Sequence, residues 1–347
     1  MIEEESLPEL DQEEELFEHH RFKADKGQDF TRIDKFLLDR LPNTSRNKIQ
    51  VAAKNGNIHV GGNAVKQNYK VKPGDEISIV MPYPVREITL IPQDIPIDIQ
   101  YEDEQLIIVN KFSNMVVHPG YGNYKDTLVN ALVFHFERLP SMSSDYYGRP
   151  GLVHRIDKHT TGLLVIAKTE SALSFLAKQF FDRTIERRYF ALVWGDLQNN
   201  GTITGNIGRS LKNRKVMTVY PEGDHGKHAV THYEVVERFG FVTLVSCKLE
   251  TGRTHQIRAH FQHIGHSLFN DNEYGGTSII YGRITSSYKS FVENCFQLLD
   301  GQALHAYRLG FVHPTKEEFV CHEVEMPANF QTLIERWRNF CKGFKIY

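Results

Sequence analysis

Two polar stretches of this chain carry side chains suited to nucleophilic or acid–base chemistry. The first, Gly151-Leu152-Val153-His154-Arg155-Ile156-Asp157-Lys158-His159-Thr160-Thr161-Gly162, runs straight into the apolar segment Leu163–Ala167. Charged and hydroxyl side chains held at a strand end by a rigid sheet are a common way to build a site. Asp157 is the carboxylate of this loop, and a carboxylate can attack carbon or take a proton. Taken alone, an Asp in such a loop is more often a turn former. The second stretch is Leu249-Glu250-Thr251-Gly252-Arg253-Thr254-His255-Gln256-Ile257-Arg258. Here a strand should end at the glycine and a helix begin, with Ile257, Phe261 and Ile264 on its buried side. Arg258 adjoins that stripe, which suits a cation reaching inward to a carboxylate. His255, His260 and His263 have neither the HExxH spacing nor a cysteine companion, so no metal is expected.

The elements that must position these loops follow from periodicity. Leu106–Val109, Leu163–Ala167, Tyr189–Trp194, Thr231–Val236 and Phe241–Leu249 read as strands. Asp126–Glu137 and Glu170–Phe181 read as helices. Strands joined directly to strands, without regular helical crossovers, predict an α+β fold with a largely antiparallel sheet. Ahead of it lies a compact αα-β module over 30–81. Helical spacing covers 31–41, a second helix starts near Ser45 and stops at Asn55-Gly56, and strands follow at Ile58–Val60 and Glu76–Met81. The expected organisation is an acidic disordered tail (1–28), the module (30–81), a linker punctuated by Pro82, Pro84, Pro92 and Pro96 (82–97), a large domain (98–335) and a C-terminal tail (336–347).

Charge is unevenly placed. The net charge of −2 includes nine carboxylates within residues 1–18, where there is no Lys or Arg; the rest of the chain carries 41 basic against 34 acidic residues. Segment 30–80 holds nine Lys/Arg against four Asp/Glu. A positive body permits a nucleic-acid partner without proving one. The scattered Cys247, Cys295, Cys321 and Cys341 suggest no disulfide framework. With no long apolar run and no basic-then-apolar leader, a cytoplasmic protein without a membrane span is expected.

Ordered along the chain, these residues resemble the RluA/RluD family of pseudouridine synthases, closest to its RluD-like branch. Asn110-Lys111 with Val116-Val117-His118-Pro119-Gly120 is similar to the first family motif, and His154-Arg155-Ile156-Asp157 with Thr161-Gly162 to the catalytic one. Arg188-Tyr189-Phe190-Ala191 resembles the segment carrying the active-site tyrosine. Thr251–Arg258 resembles the third motif and Leu304-His305-Ala306 the late one. Residues 30–80 resemble an S4 RNA-binding module. Phe112 and Asn114 stand where the family has Pro and Gly, and Asn tolerates left-handed backbone angles.

The resemblance implies isomerisation of uridine in structured RNA, most specifically large-subunit ribosomal RNA. Asp157 would act on the sugar, either attacking C1′ or taking the C2′ proton. Arg258 would keep it ionised, and Tyr189 would stack on the detached base. Arg155 would fill the space left by the flipped nucleotide. His154, Thr161, Gly162, Arg253, His255 and Gln256 are carried over as substrate-binding positions, and Arg32, Arg46, Lys48 and Lys54 as backbone contacts of the S4-like module. Redox state and group inventory do not change in the reaction, so no cofactor is expected, and the protein is expected to be a monomer. Rival readings are an aspartyl-phosphate enzyme, which lacks a DxD-type acidic cluster here, a methyltransferase, which lacks the glycine-rich loop, and a non-catalytic RNA-binding protein.

Overall fold

The computed structural model describes residues 17–41, 44, 46–81, 90–120, 123–136, 139–140, 150–213 and 216–342. The chain divides into two compact units between residues 89 and 90. In the first, β1 (Phe17–Lys23) is followed by α1 (Ile33–Leu38), α2 (Arg46–Lys54), β2 (Ile58–Val60), β3 (Asn63–Ala64) and β4 (Glu76–Met81). The strands form one sheet in the order β1-β4-β2-β3. Ile33, Phe36 and Leu37 of α1 and Ile49 and Ala53 of α2 pack on Ile58, Ile77 and Ile79 of the sheet. Both helices and both main strands stand where periodicity placed them; Ser45 lies outside the described residues.

The expected tail is corrected over its second half, and its residues 1–16 lie outside the described residues. Residues 17–23, assigned to a disordered segment, form β1 and pair antiparallel with β4. The half-buried positions of Phe-Glu-His-His-Arg-Phe-Lys shift face at a bulge between Glu18 and His20, which hides the two-residue period from the sequence. Pairing with β4 satisfies its backbone, and the adjoining Ala24 is buried.

The second unit contains β5 (Ile99–Glu102), β6 (Leu106–Lys111), α3 (Leu128–His135), β7 (Thr161–Ala167), α4 (Glu170–Asp182), β8 (Glu186–Trp194), β9 (Gly201–Arg209) and β10 (Met217–Tyr220). It continues through β11 (Lys227–Arg238), β12 (Val242–Leu249), α5 (Gln256–His263), α6 (Ser286–Phe296), β13 (Leu304–Val312), β14 (Phe319–Glu323) and α7 (Ala328–Lys342). The main path of its sheet runs β10-β9-β11-β12-β8-β13-β7-β6-β5, with β14 on β13. Each pairing is antiparallel except β13 with β7, so the sheet is mixed and largely antiparallel, within an α+β fold.

Both sheet faces are covered. Val245, Cys247 and Leu249 of β12 join Ile257 and Phe261 of α5 in one core. Val242 and Leu244 join Trp194 and the α7 residues Phe330, Leu333, Ile334 and Trp337 in another. The expected C-terminal tail from 336 is therefore corrected: α7 continues through Lys342, anchored by Trp337, whose ring lies 6.3 Å from that of Trp194. The second half of the expected linker also belongs to this unit, because Leu90 and Ile97 pack on its core and the Gln93 amide donates to the Asn130 carbonyl. Residues 82–89 lie outside the described residues.

Candidate active site

Asp157 sits in the loop that enters β7, fixed by its own backbone and by a lysine. Its carbonyl accepts from the Thr160 amide at 3.1 Å. The Lys111 ammonium, 1% exposed, donates to the carbonyls of Phe112 (2.7 Å), Met115 (2.8 Å) and Lys158 (3.0 Å), tying the end of β6 to the Asp157 loop. Burial pushes this lysine down to about 7, with Asp157 pulling the other way. Asn114, standing where the family has glycine, adopts a left-handed φ of 62°.

Arg258 reaches Asp157 from α5, as the buried stripe suggested, but Asp157 is not its main partner. Its Nη1 lies 3.3 Å from Asp157 Oδ2, while Nε and Nη2 donate to the two oxygens of the fully buried Asp271 at 2.7 and 2.8 Å. Nη2 also donates to Glu273 at 2.7 Å. Burial disfavours the charge on Arg258, but the hydrogen bonds and charges of these carboxylates outweigh it and raise its pKa. The bidentate pair locks the guanidinium plane, so Arg258 presents Nη1 to Asp157 as a fixed donor. Tyr274 completes the mount, its ring centroid 4.7 Å from the guanidinium carbon.

The remaining expected positions separate into two groups. Tyr189, His154, Arg155, Arg253, His255 and Gln256 line a cleft of about 480 Å³ together with Asp157 and Arg258. Tyr189 is buried on β8; burial raises its pKa, Arg187 opposing and Asp157 assisting, so the phenol keeps its proton. His154 faces the same cleft, but its Nε2 accepts the Val165 amide at 3.0 Å and its ring stacks on Phe180. Burial, helped by Arg187, holds it down to about 3, so it is a neutral acceptor that braces the loop against β7. Gln256 spends its amide on the Val230 carbonyl and Thr231 hydroxyl, while its oxygen accepts from Thr251 and the Arg253 amide. It closes the loop before α5. His255, with a left-handed φ of 52°, places Nε2 3.9 Å from Asp157 Oδ1 and Nδ1 2.9 Å from the Tyr274 hydroxyl.

Thr161 and Gly162 fall outside that cleft lining, where Thr160 appears instead. Thr161 Oγ1 lies 2.8 Å from His305 Nδ1. Gly162, at φ 111°, packs so closely on β13 that a Cβ would sit 2.2 Å from the Ala306 carbonyl oxygen. These two positions join β7 to β13, and so does the late His305-Ala306 motif. In the first unit, Arg32 and Arg46 both bind the buried Asp34, at 3.0 Å each, and Gln50 donates to it at 2.7 Å. Burial opposes the charge on Asp34, but these three donors hold it down to about 2. Lys48 and Lys54 lie exposed on α2.

Sequence reasoning missed Asp271, Glu273 and Tyr274, and it missed Arg183 and Arg187, which line the cleft. Asn270-Asp271-Asn272-Glu273 reads as an ordinary polar turn, and no spacing rule ties it to Arg258. Arg183 and Arg187 were hidden in a basic run leading to Tyr189.

Residues 105–263 match the family model described as RNA pseudouridylate synthase, and residues 31–77 match that of the S4 domain. A protein of Chlorobaculum parvum named an uncharacterized RNA pseudouridine synthase is 44% identical over 309 residues, covering 88% of this chain and 94% of its own. The ribosomal large subunit pseudouridine synthase D of Zymomonas mobilis is 41% identical over 308 residues, covering 88% and 93%. Among solved structures, human RNA pseudouridylate synthase domain containing 4 aligns with a TM-score of 0.52 over 70% of this chain and 93% of that one; at 21% identity this is a likeness of fold.

Proposed function

The chain belongs to the RNA pseudouridine synthases, and from that premise we propose that it isomerises a uridine of large-subunit ribosomal RNA, with Asp157 as the group acting on the sugar. The observation that carries the reading is the Asp157 carboxylate, 19% exposed, facing the cleft beside a fixed Arg258. Uracil must leave C1′, turn and rejoin through C5. A carboxylate lying 3.3 Å from a fixed guanidinium N–H suits either attack on C1′ or removal of the C2′ proton. Tyr189, on β8 between β12 and β13, offers a rigid ring against which the detached base can rest, and its protonated phenol can relay the C5 proton.

The uridine reaches Asp157 only by leaving its stack, at a cost of a few kcal/mol that is least in loops. Arg155 would occupy the vacated space, a reading supported by its exposure in the cleft lining. Several named relatives act on the ribosomal large subunit, which supports that target. The reading includes a monomer working in the cytoplasm without a cofactor, since the reaction leaves redox state and atoms in balance.

Asp157→Asn is nearly isosteric and should abolish isomerisation while RNA affinity stays close to wild type. Residual turnover within tenfold, a barrier change of only about 1.4 kcal/mol, would remove Asp157 from the chemistry. Carbodiimide mapping of pseudouridines in ribosomal RNA from a strain lacking the protein tests the target; an unchanged large-subunit map would refute it.

A further inference from the structure

Arg187 lies on β8 two residues before Tyr189, so the two-residue period of the strand directs both side chains to the same face. Both line the cleft that holds Asp157. The neighbouring cation on the opposite face, Arg188, is neutralised by Glu186 at 2.9 Å. Arg187 has no such partner among the described residues. Its Nε is buried without a hydrogen bond, and its guanidinium carbon lies 5.5 Å from the centroid of the Phe180 ring. A buried guanidinium N–H left unpaired is costly unless an acceptor arrives to use it.

Its surroundings are arranged for such an anion. Arg183 enters the same cleft from the C-terminal end of α4, where it adopts a left-handed φ of 61°. Arg253 enters from the loop before α5, with Nε donating to the His228 carbonyl at 3.1 Å. Its pKa is lowered, first by burial and then by Arg183, which marks two like charges facing one another. The acids of the lining are engaged elsewhere: Glu250 lies 2.6 Å from His232, and Asp157 faces Arg258. Gly252 makes the space, since a Cβ there would stand 2.6 Å from Arg187 Nη1.

We propose that Arg187, flanked by Arg183 and Arg253, is the seat for a backbone phosphate of the nucleotide whose base rests on Tyr189. The inference rests on the reading of the cleft as the place of the flipped uridine. Two residues along a strand span about 6.6 Å, the scale on which one nucleotide separates its base from its phosphate. A planar guanidinium fork matches phosphate oxygens in pairs, whereas a lone ammonium binds as a point charge. Arg187 thus sets the distance between the anchored backbone and the sugar at Asp157, and works as a binding residue rather than a proton donor.

The test titrates the full chain with uridine 3′,5′-bisphosphate, uridine and inorganic phosphate, following the arginine Nε–H resonances by NMR. Wild type should bind the bisphosphate about tenfold or more tighter than uridine, as charge-assisted hydrogen bonds imply. Arg187→Gln should reduce the bisphosphate to the uridine level, and Arg187→Lys should restore only part of the difference. Gly252→Ala, which pushes the guanidinium aside while leaving its charge, should weaken the bisphosphate selectively. Any of three results overturns the proposal: equal binding of uridine and bisphosphate by wild type, a bisphosphate preference that survives Arg187→Gln, or inorganic phosphate binding as tightly as the bisphosphate. Isomerisation of transcribed large-subunit RNA by the same wild-type preparation is scored separately. Its absence refutes the RNA target, while the titration alone decides the phosphate seat.

Discussion

Replacing Arg258 by Met separates what this arginine does for the fold from what it does for Asp157. The variant leaves Asp271, which has no exposed surface, without its hydrogen bonds of 2.7 and 2.8 Å. Breaking a buried pair from one side costs about 3–5 kcal/mol. Glu273, 44% exposed, can turn to water and adds little. With an m-value of about 3 kcal/mol/M in urea, the midpoint should fall by about 1 M or more. The chain's two tryptophans, Trp194 and Trp337, are both buried in the second unit, so intrinsic fluorescence follows that unit's transition. Arg258→Met with Asp271→Leu removes both charges and should return the midpoint to within about 0.5 M of wild type. Neither variant should isomerise RNA, because Asp157 loses its fixed donor in both. A single variant with an unchanged midpoint would refute the structural half of the argument. A stable, active double variant would refute the catalytic half.

Gly162→Ala forces a Cβ against the Ala306 carbonyl at a left-handed φ, so it should destabilise the second unit by about 3 kcal/mol or more, read by the same fluorescence; a wild-type midpoint refutes the close packing. Burial holds His154 down to about 3 and His260 and His305 to about 4, against 6.5 for a free imidazole. The unfolded chain therefore binds more protons as pH falls through 6.5 toward 4, and stability should drop across that window by about 1 kcal/mol per histidine between about pH 7 and 5.5. A urea midpoint that stays flat between those pH values contradicts it. Lys48→Gln and Lys54→Gln on α2 should flatten the log–log salt dependence of RNA binding by about 0.7–0.9 each without moving the modified uridine. An unchanged slope removes them from the RNA contact.

Much was legible locally. Ile33, Phe36, Leu37 and Leu41 repeat at the helical period, and all are buried in the first unit. Leu106–Val109 and Leu163–Ala167 are short apolar runs, and they pair as neighbouring strands inside the β5 edge of a covered sheet. Asp157 stood out because a polar loop ends where such a strand begins, and Arg258 because it adjoins Ile257 on the buried side of α5. The β1 strand escaped because a bulge breaks its period, and α7 because only docking on Trp194 shows why its apolar stripe continues past 336.

The chain by itself determined the elements that depend on near neighbours, since helix and strand periods, turn residues and helix ends act over a few residues. It also placed the carboxylate loop and the arginine of α5. Only tertiary structure decided what those side chains meet. Arg258 meets Asp271 thirteen residues away and Asp157 a hundred and one away. Thr161 meets His305, a hundred and forty-four residues away, where β7 joins β13. Partner choice among several carboxylates is set by burial and direction once the sheet has assembled, and no local pattern encodes it.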